Sequence, residues 1–188
     1  MHSDLSQENY GLLFPAYWKG RTGIDILEAG GSDALLLGAY LMGNDHANAI
    51  GLYHLPFTDV RIGLTIPRLV TAFEALDRAA YATYDYGTQY VWVKEMARIR
   101  MGLRSRSECL PKRDSRNIMV ARLYRQYAGS TPFVWAFFQR YRKTFHIRTG
   151  QKPVVTLIRR PTFASDGPLL RAVTTGRTTP ENSRTDLN

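Results

Sequence analysis

The sequence predicts an α+β fold, mainly helical, and three observations carry that reading. Apolar residues recur at helical spacing over long stretches, as in TIPRLVTAFEALDRAAY from Thr65 to Tyr81. Two short aromatic and β-branched runs in YATYDYGTQYVWV, Tyr81 to Val93, bracket a Gly-Thr-Gln turn and predict a β-hairpin. Gly87 is expected to supply the backbone freedom of that turn. Finally, 188 residues of which 44% are hydrophobic suffice for a single core, with no apolar run of about 18 residues to cross a membrane.

The elements follow in order. Ser32 is placed to cap a first helix whose apolar face holds Ala34, Leu35, Leu37 and Leu41, ending at Gly43-Asn44. AIGLYHLP, closed by Pro56, suits an edge strand. Thr58 then caps a short helix in FTDVRIGL that stops at Gly63. Thr65 caps a longer one, with Pro67 tolerated in its first turn. At about 100° per residue, Leu69, Phe73, Leu76 and Ala80 share its core side, opposite Pro67, Thr71, Glu74 and Arg78. The hairpin comes next. Beyond Met101, GLRSRSECLPKRDSR reads as a basic linker, and Asp114 or Ser115 caps a helix holding Ile118, Val120, Leu123, Tyr124 and Tyr127. A densely aromatic helix, PFVWAFFQRYRKTF, follows, and VVTLI at Val154 to Ile158 is a candidate strand within a flexible tail.

The sequence of helix, strand, short helix, turn, helix and hairpin is that of a winged helix-turn-helix. The expected organisation is a lead-in over 1–30, a winged helix-turn-helix over 31–102, a basic linker and small helical extension over 103–147, and a mostly disordered basic tail over 148–188.

Charge divides the chain. Up to Met96 there are six Lys and Arg against eleven Asp and Glu, a net of −5, while the rest carries nineteen against five, or +14. Such asymmetry within a total of +9 points to a polyanionic partner for the second half. The polar, acid-bearing start MHSDLSQENYG argues against a secretory signal. Cys109 is the only cysteine, which excludes an intramolecular disulfide and fits a cytoplasmic location.

Several pieces together resemble the N-terminal winged-helix domain of phage and prophage replication-initiation proteins, or replisome organisers. They are NAIGLYHLPFT (Asn48 to Thr58), the GLT step at Gly63, AFEALDRAAYATYD (Ala72 to Asp85), YVWVKEMAR (Tyr90 to Arg98) and STPFVWAFFQRY (Ser130 to Tyr141), spread over about residues 10 to 145. The resemblance implies a DNA-binding protein acting in replication initiation, with double-stranded DNA as partner and a replicative helicase or its loader as a further one. The chain departs from the family pattern at Glu74 and Asp77, acids near a helix meant to face DNA.

In a helix-turn-helix, polar side chains early in the second helix reach bases while flanking groups touch phosphates. The candidates are Thr65, Arg68 and Thr71, with Arg78 further along, and Arg68 could discriminate guanine by ~1–3 kcal/mol. The hairpin offers Tyr84, Tyr86, Thr88 and Gln89 but no cation at its tip, and alternating tyrosines more often pack across strands. The stronger electrostatic signal is Arg98, Arg100, Arg104, Arg106, Lys112, Arg113 and Arg116, continued by Arg122, Arg125, Arg140, Arg142 and Lys143. Arginines interleaved with aromatics also suit single-stranded DNA, although a second small core is the plainer use of the aromatics.

No phosphate loop, dinucleotide fingerprint, zinc-protease or nucleophile-elbow motif is present, and the four histidines are scattered, so no enzyme, metal or cofactor is expected. The competing functions are a protein-interaction adaptor with nucleic-acid contact only from the basic half, and a transcriptional regulator. Homo-oligomerisation is left open.

Overall fold

A three-stranded antiparallel sheet separates two helical layers. The computed structural model describes residues 15–148, so the candidate strand at 154–158, the tail and the start of the lead-in lie outside the described residues. The strands are β1 (Leu52–His54), β2 (Ala82–Asp85) and β3 (Tyr90–Val93), in the order β1-β3-β2. Trp92 sits opposite Leu52 on one side and Thr83 on the other. Alternation along the strands serves both faces. Tyr53, Tyr84, Val91 and Val93 enter one core, and Leu52 and Trp92 enter the other.

The first layer comprises α1 (Pro15–Lys19), α2 (Arg21–Gly43) and α3 (Ile66–Arg78). α2 begins well before the expected Ser32 cap and breaks at Gly31, whose φ of 66° and ψ of −159° are non-helical. Ser32 therefore opens only the second limb. The first limb packs inward through Ile26, as α1 does through Tyr17, so residues 15–30 belong to this layer. The neighbouring Gly30 has a different role: a Cβ there would lie 2.3 Å from Cβ of Ala75, so its lack of side chain lets α2 and α3 close together. Buried tyrosines then tie the layer to itself. The hydroxyls of Tyr17, Tyr53, Tyr81 and Tyr84 donate to the carbonyls of Leu35, Leu41, Gly38 and Leu55 at 2.6–3.0 Å. Burial pushes all four phenols above the usual tyrosine range.

Three expectations in this layer need correction. The helix placed in FTDVRIGL is a single 3-10 turn at Phe57–Asp59, because Val60 is extended and Gly63 has φ 74°. Thr58 hydrogen-bonds the Asp59 carboxylate instead of capping. Within α3, Ala75 is fully buried, whereas Ala80 lies beyond the helix end with φ 53°. Ala80 is the left-handed residue of a closing motif in which Tyr81 N–H donates to Leu76 O and Ala80 N–H to Asp77 O. In the hairpin, positive φ falls on Gln89 (56°), not Gly87. The Asp85 carboxylate holds that turn, accepting from Gly87 N–H at 3.2 Å and Thr88 Oγ1 at 2.6 Å.

The second layer holds α4 (Met96–Arg100), α5 (Ser115–Gln126) and α6 (Phe133–Tyr141). α4 carries the chain across, with Met96 in the first core and Ala97 in the second. Asp114 is the cap of α5, accepting from Arg116 N–H at 2.9 Å. Phe133, Phe137, Phe138 and Tyr141 of α6 pack with Val120 and Tyr124 of α5 and close on Trp92. The aromatics thus form a core that shares the sheet. Tyr141 Oη fastens the layer by donating to Lys94 O at 2.6 Å. Ile118, expected on the apolar side of α5, is 74% exposed.

Candidate nucleic-acid interface

Nucleic-acid contact requires cations and hydrogen-bond donors that the fold has not already spent. On α3 most are spent. Arg68 Nε and Nη2 donate to the two Asp33 oxygens at 2.8 and 2.7 Å, a bidentate pair across to α2. The Arg68 hydrogen bond holds the Asp33 carboxyl below its usual value. Arg78 Nη2 donates to Ala29 O at 2.8 Å, and Thr71 Oγ1 to Pro67 O at 3.1 Å. Thr65 is exposed at the N-cap position and its side chain makes no cap hydrogen bond. Glu74 and Asp77 line a concavity between α3 and the hairpin with Phe73, Tyr84 and Tyr86. Thr65, Arg68 and Thr71 share an exposed surface bordered by acids.

The hairpin is built inward. Tyr84 lies 4.4 Å from Phe73 and 5.0 Å from Tyr86, ring centre to ring centre, and stacks on Phe57. Gln89 is exposed, but its main chain is engaged: its carbonyl accepts from Leu55 N–H and its N–H donates to Asp85 O, both at 2.8 Å.

The arginine run splits into two groups. One is structural. Glu95, just after β3, receives Arg98 Nε at 2.7 Å, Arg106 Nε at 3.0 Å and Arg140 Nη2. Burial pushes the Glu95 carboxyl up, but hydrogen bonds from Arg98 and Arg140 and the charges of Arg140 and Arg106 more than offset it, leaving it below its usual value. Arg98 also donates to Leu103 O, Arg100 to Met42 O and Arg116 to Met101 O. Arg116 additionally pairs with Asp114 through its side chain and main chain, holding that carboxyl down at about 2.

The other group is open. Arg104, Lys112, Arg113, Arg122, Arg125 and Lys143 are exposed, and none is in a salt bridge among the described residues. Arg122 and Arg125 lie on the outer side of α5 beside exposed Ile118 and Met119, and Lys112 and Arg113 directly precede that helix. Within the described residues, those up to Met96 carry six Lys and Arg against nine Asp and Glu, and those after it thirteen against two. The sheet is therefore also an electrostatic boundary.

Sequence reasoning overlooked Glu95 and Asp33, the carboxylates that decide which arginines are free. Glu95 carried a signal, as the lone acid between Asp85 and Glu108 in a stretch rich in arginine. Asp33 carried none, because its partner is 35 residues away. No helix among the described residues is long and apolar enough to cross a membrane. Compared with known proteins, the chain matches no family model, no curated protein and no solved structure.

Proposed function

We propose that this chain is a non-enzymatic DNA-binding protein whose second layer grips the phosphate backbone through the outer side of α5. The observation that carries the reading is the set of exposed cations that have no salt-bridge partner among the described residues, Lys112, Arg113, Arg122 and Arg125, gathered on and before one helix. Sequence-independent phosphate contact needs only such unspent charge. The acidic first layer then acts as the protein-facing side. The resemblance to replisome organisers supplies the role: initiation of phage or prophage DNA replication, with a helicase or its loader as partner. The strand order β1-β3-β2, with α2 and α3 packed on one face, supports the winged-helix reading, its second helix reduced to the 3-10 turn.

The test is fluorescence anisotropy of the full chain on duplex DNA across a salt series. Replacing Lys112, Arg113, Arg122 and Arg125 together by alanine should weaken binding on the order of a hundredfold and reduce the salt slope by about 3–4. An unchanged slope would remove α5 from the interface.

A second reading, with α3 docking in the groove, is favoured by the exposure of Thr65, Arg68 and Thr71 on its first turns. It requires Arg68 to leave Asp33. Asp33→Ala should then tighten binding and Arg68→Ala should relax sequence preference, while indifference to both changes favours α5 alone.

A further inference from the structure

Glu95 gathers three guanidiniums around one carboxylate, leaving an excess of two positive charges. Arg98, Arg106 and Arg140 also line a cavity of about 230 Å³ together with Ser105, Tyr141 and Thr144. Both carboxylate oxygens are occupied: Oε2 by Arg98, Oε1 by Arg106 and Arg140. Arg98 and Arg140 each hydrogen-bond Glu95 through one nitrogen, Arg98 gives a second to Leu103 O and Arg140 also bonds Tyr141, while a guanidinium carries five N–H donors. Further donors on each therefore remain for another acceptor. Glu95 acts as an internal clamp that fixes three otherwise flexible side chains, and fixed donors lose less entropy on binding.

We propose that this cavity is a binding site for a phosphate monoester, distinct from the α5 surface and independent of the DNA-binding reading. The charge excess selects that class. A monoester carries about −1.5 to −2 at neutral pH, matching the surplus, whereas each backbone phosphodiester carries only one negative charge. Planar guanidinium forks suit phosphate oxygens, and the cavity lining also includes the hydroxyl residues Ser105, whose Oγ lies 3.1 Å from Ser107 Oγ, and Thr144. Tyr141 contributes shape, since its hydroxyl donates to Lys94 O and also bonds the Arg140 side chain. The ligand is either the terminal phosphate of a nucleic acid or a free small phosphate.

Thermal unfolding of the full chain in ~10 mM inorganic phosphate, against chloride of equal ionic strength, reads the site directly. The expected rise in Tm is about 3 °C. Arg106→Ala should abolish it while still folding, because the Arg106 side chain is 76% exposed. Arg61→Ala, at an exposed cation outside the cavity lining, should retain it. Oligonucleotides with a 5′-phosphate or a 5′-hydroxyl identify the source. A roughly tenfold preference for the phosphorylated end, lost in Arg106→Ala, assigns a nucleic-acid terminus, and equal affinity with the inorganic phosphate effect intact assigns a small phosphate. The site is refuted if wild type shows neither response, or if both survive Arg106→Ala.

Discussion

The two layers flanking the sheet reach order by different means. The first is acidic and closes through tyrosine hydroxyls on main-chain carbonyls, neutral bonds that ionic strength scarcely touches. The second is basic, closes on stacked phenyl and indole rings, and disciplines its surplus charge with Glu95 and Asp114. Glu95 and Asp114 sit where they order arginines, and on α5 only Arg122 and Arg125 are left outside any salt bridge among the described residues.

The largest effect on this comparison should come from Phe137→Ala. Phe137 is fully buried between α5 and the sheet, so truncation should cost about 3–5 kcal/mol. Hydrogen exchange in α2 and α6 then decides whether the layers are one unit. Equal loss of protection means a shared fate, and protection kept in α2 alone means that the first layer stands by itself.

Acid should test the second layer's carboxylates more gently, with Asp33, also lowered, as the first layer's counterpart. Glu95 and Asp114 both have lowered folded values, so each contributes stability above the usual carboxylate pKa of about 4, and that contribution fades as pH falls through the folded value. For Asp114 the window runs from about 4 down to about 2. Asp114→Asn keeps a capping side chain and should flatten the stability–pH curve there, measured by urea unfolding. A curve as steep as wild type would mean that the pair with Arg116 is worth nothing.

The smallest effect should be a gain. Ala80 holds φ 53° in the motif that ends α3, a conformation costing about 1 kcal/mol for a residue with a Cβ. Ala80→Gly should raise stability by about 0.5–1 kcal/mol, read as a higher Tm, and a fall would show that chain entropy outweighs the relief.

Much of the fold was legible because its determinants are local. The periodicity of α3, the hairpin and the aromatic run of α6 are each written within about a dozen residues. α2 was cut short because Gly30-Gly31 resembles a loop. One of those glycines does break the helix, while the other is demanded by Ala75, a contact 45 residues away that no local pattern reveals. The candidate site divided along the same line. That the second half is cationic is composition, but which arginines stay free depends on where the fold brings Asp33, Glu95 and Asp114. Arg68, the leading base-reading candidate, is the clearest instance, since its fork is already filled.

β3 has a consequence for how this chain can vary. Its four residues face alternately into the two cores, Val91 and Val93 one way and Trp92 the other. Deleting a single residue from the 86–89 loop would threaten to invert that alternation, presenting an indole where valines now sit and emptying the opposite core at the same stroke. A change that shifts this short strand is therefore felt in both cores at once, so the acid-rich and arginine-rich halves, for all their chemical difference, share one mechanical hinge point.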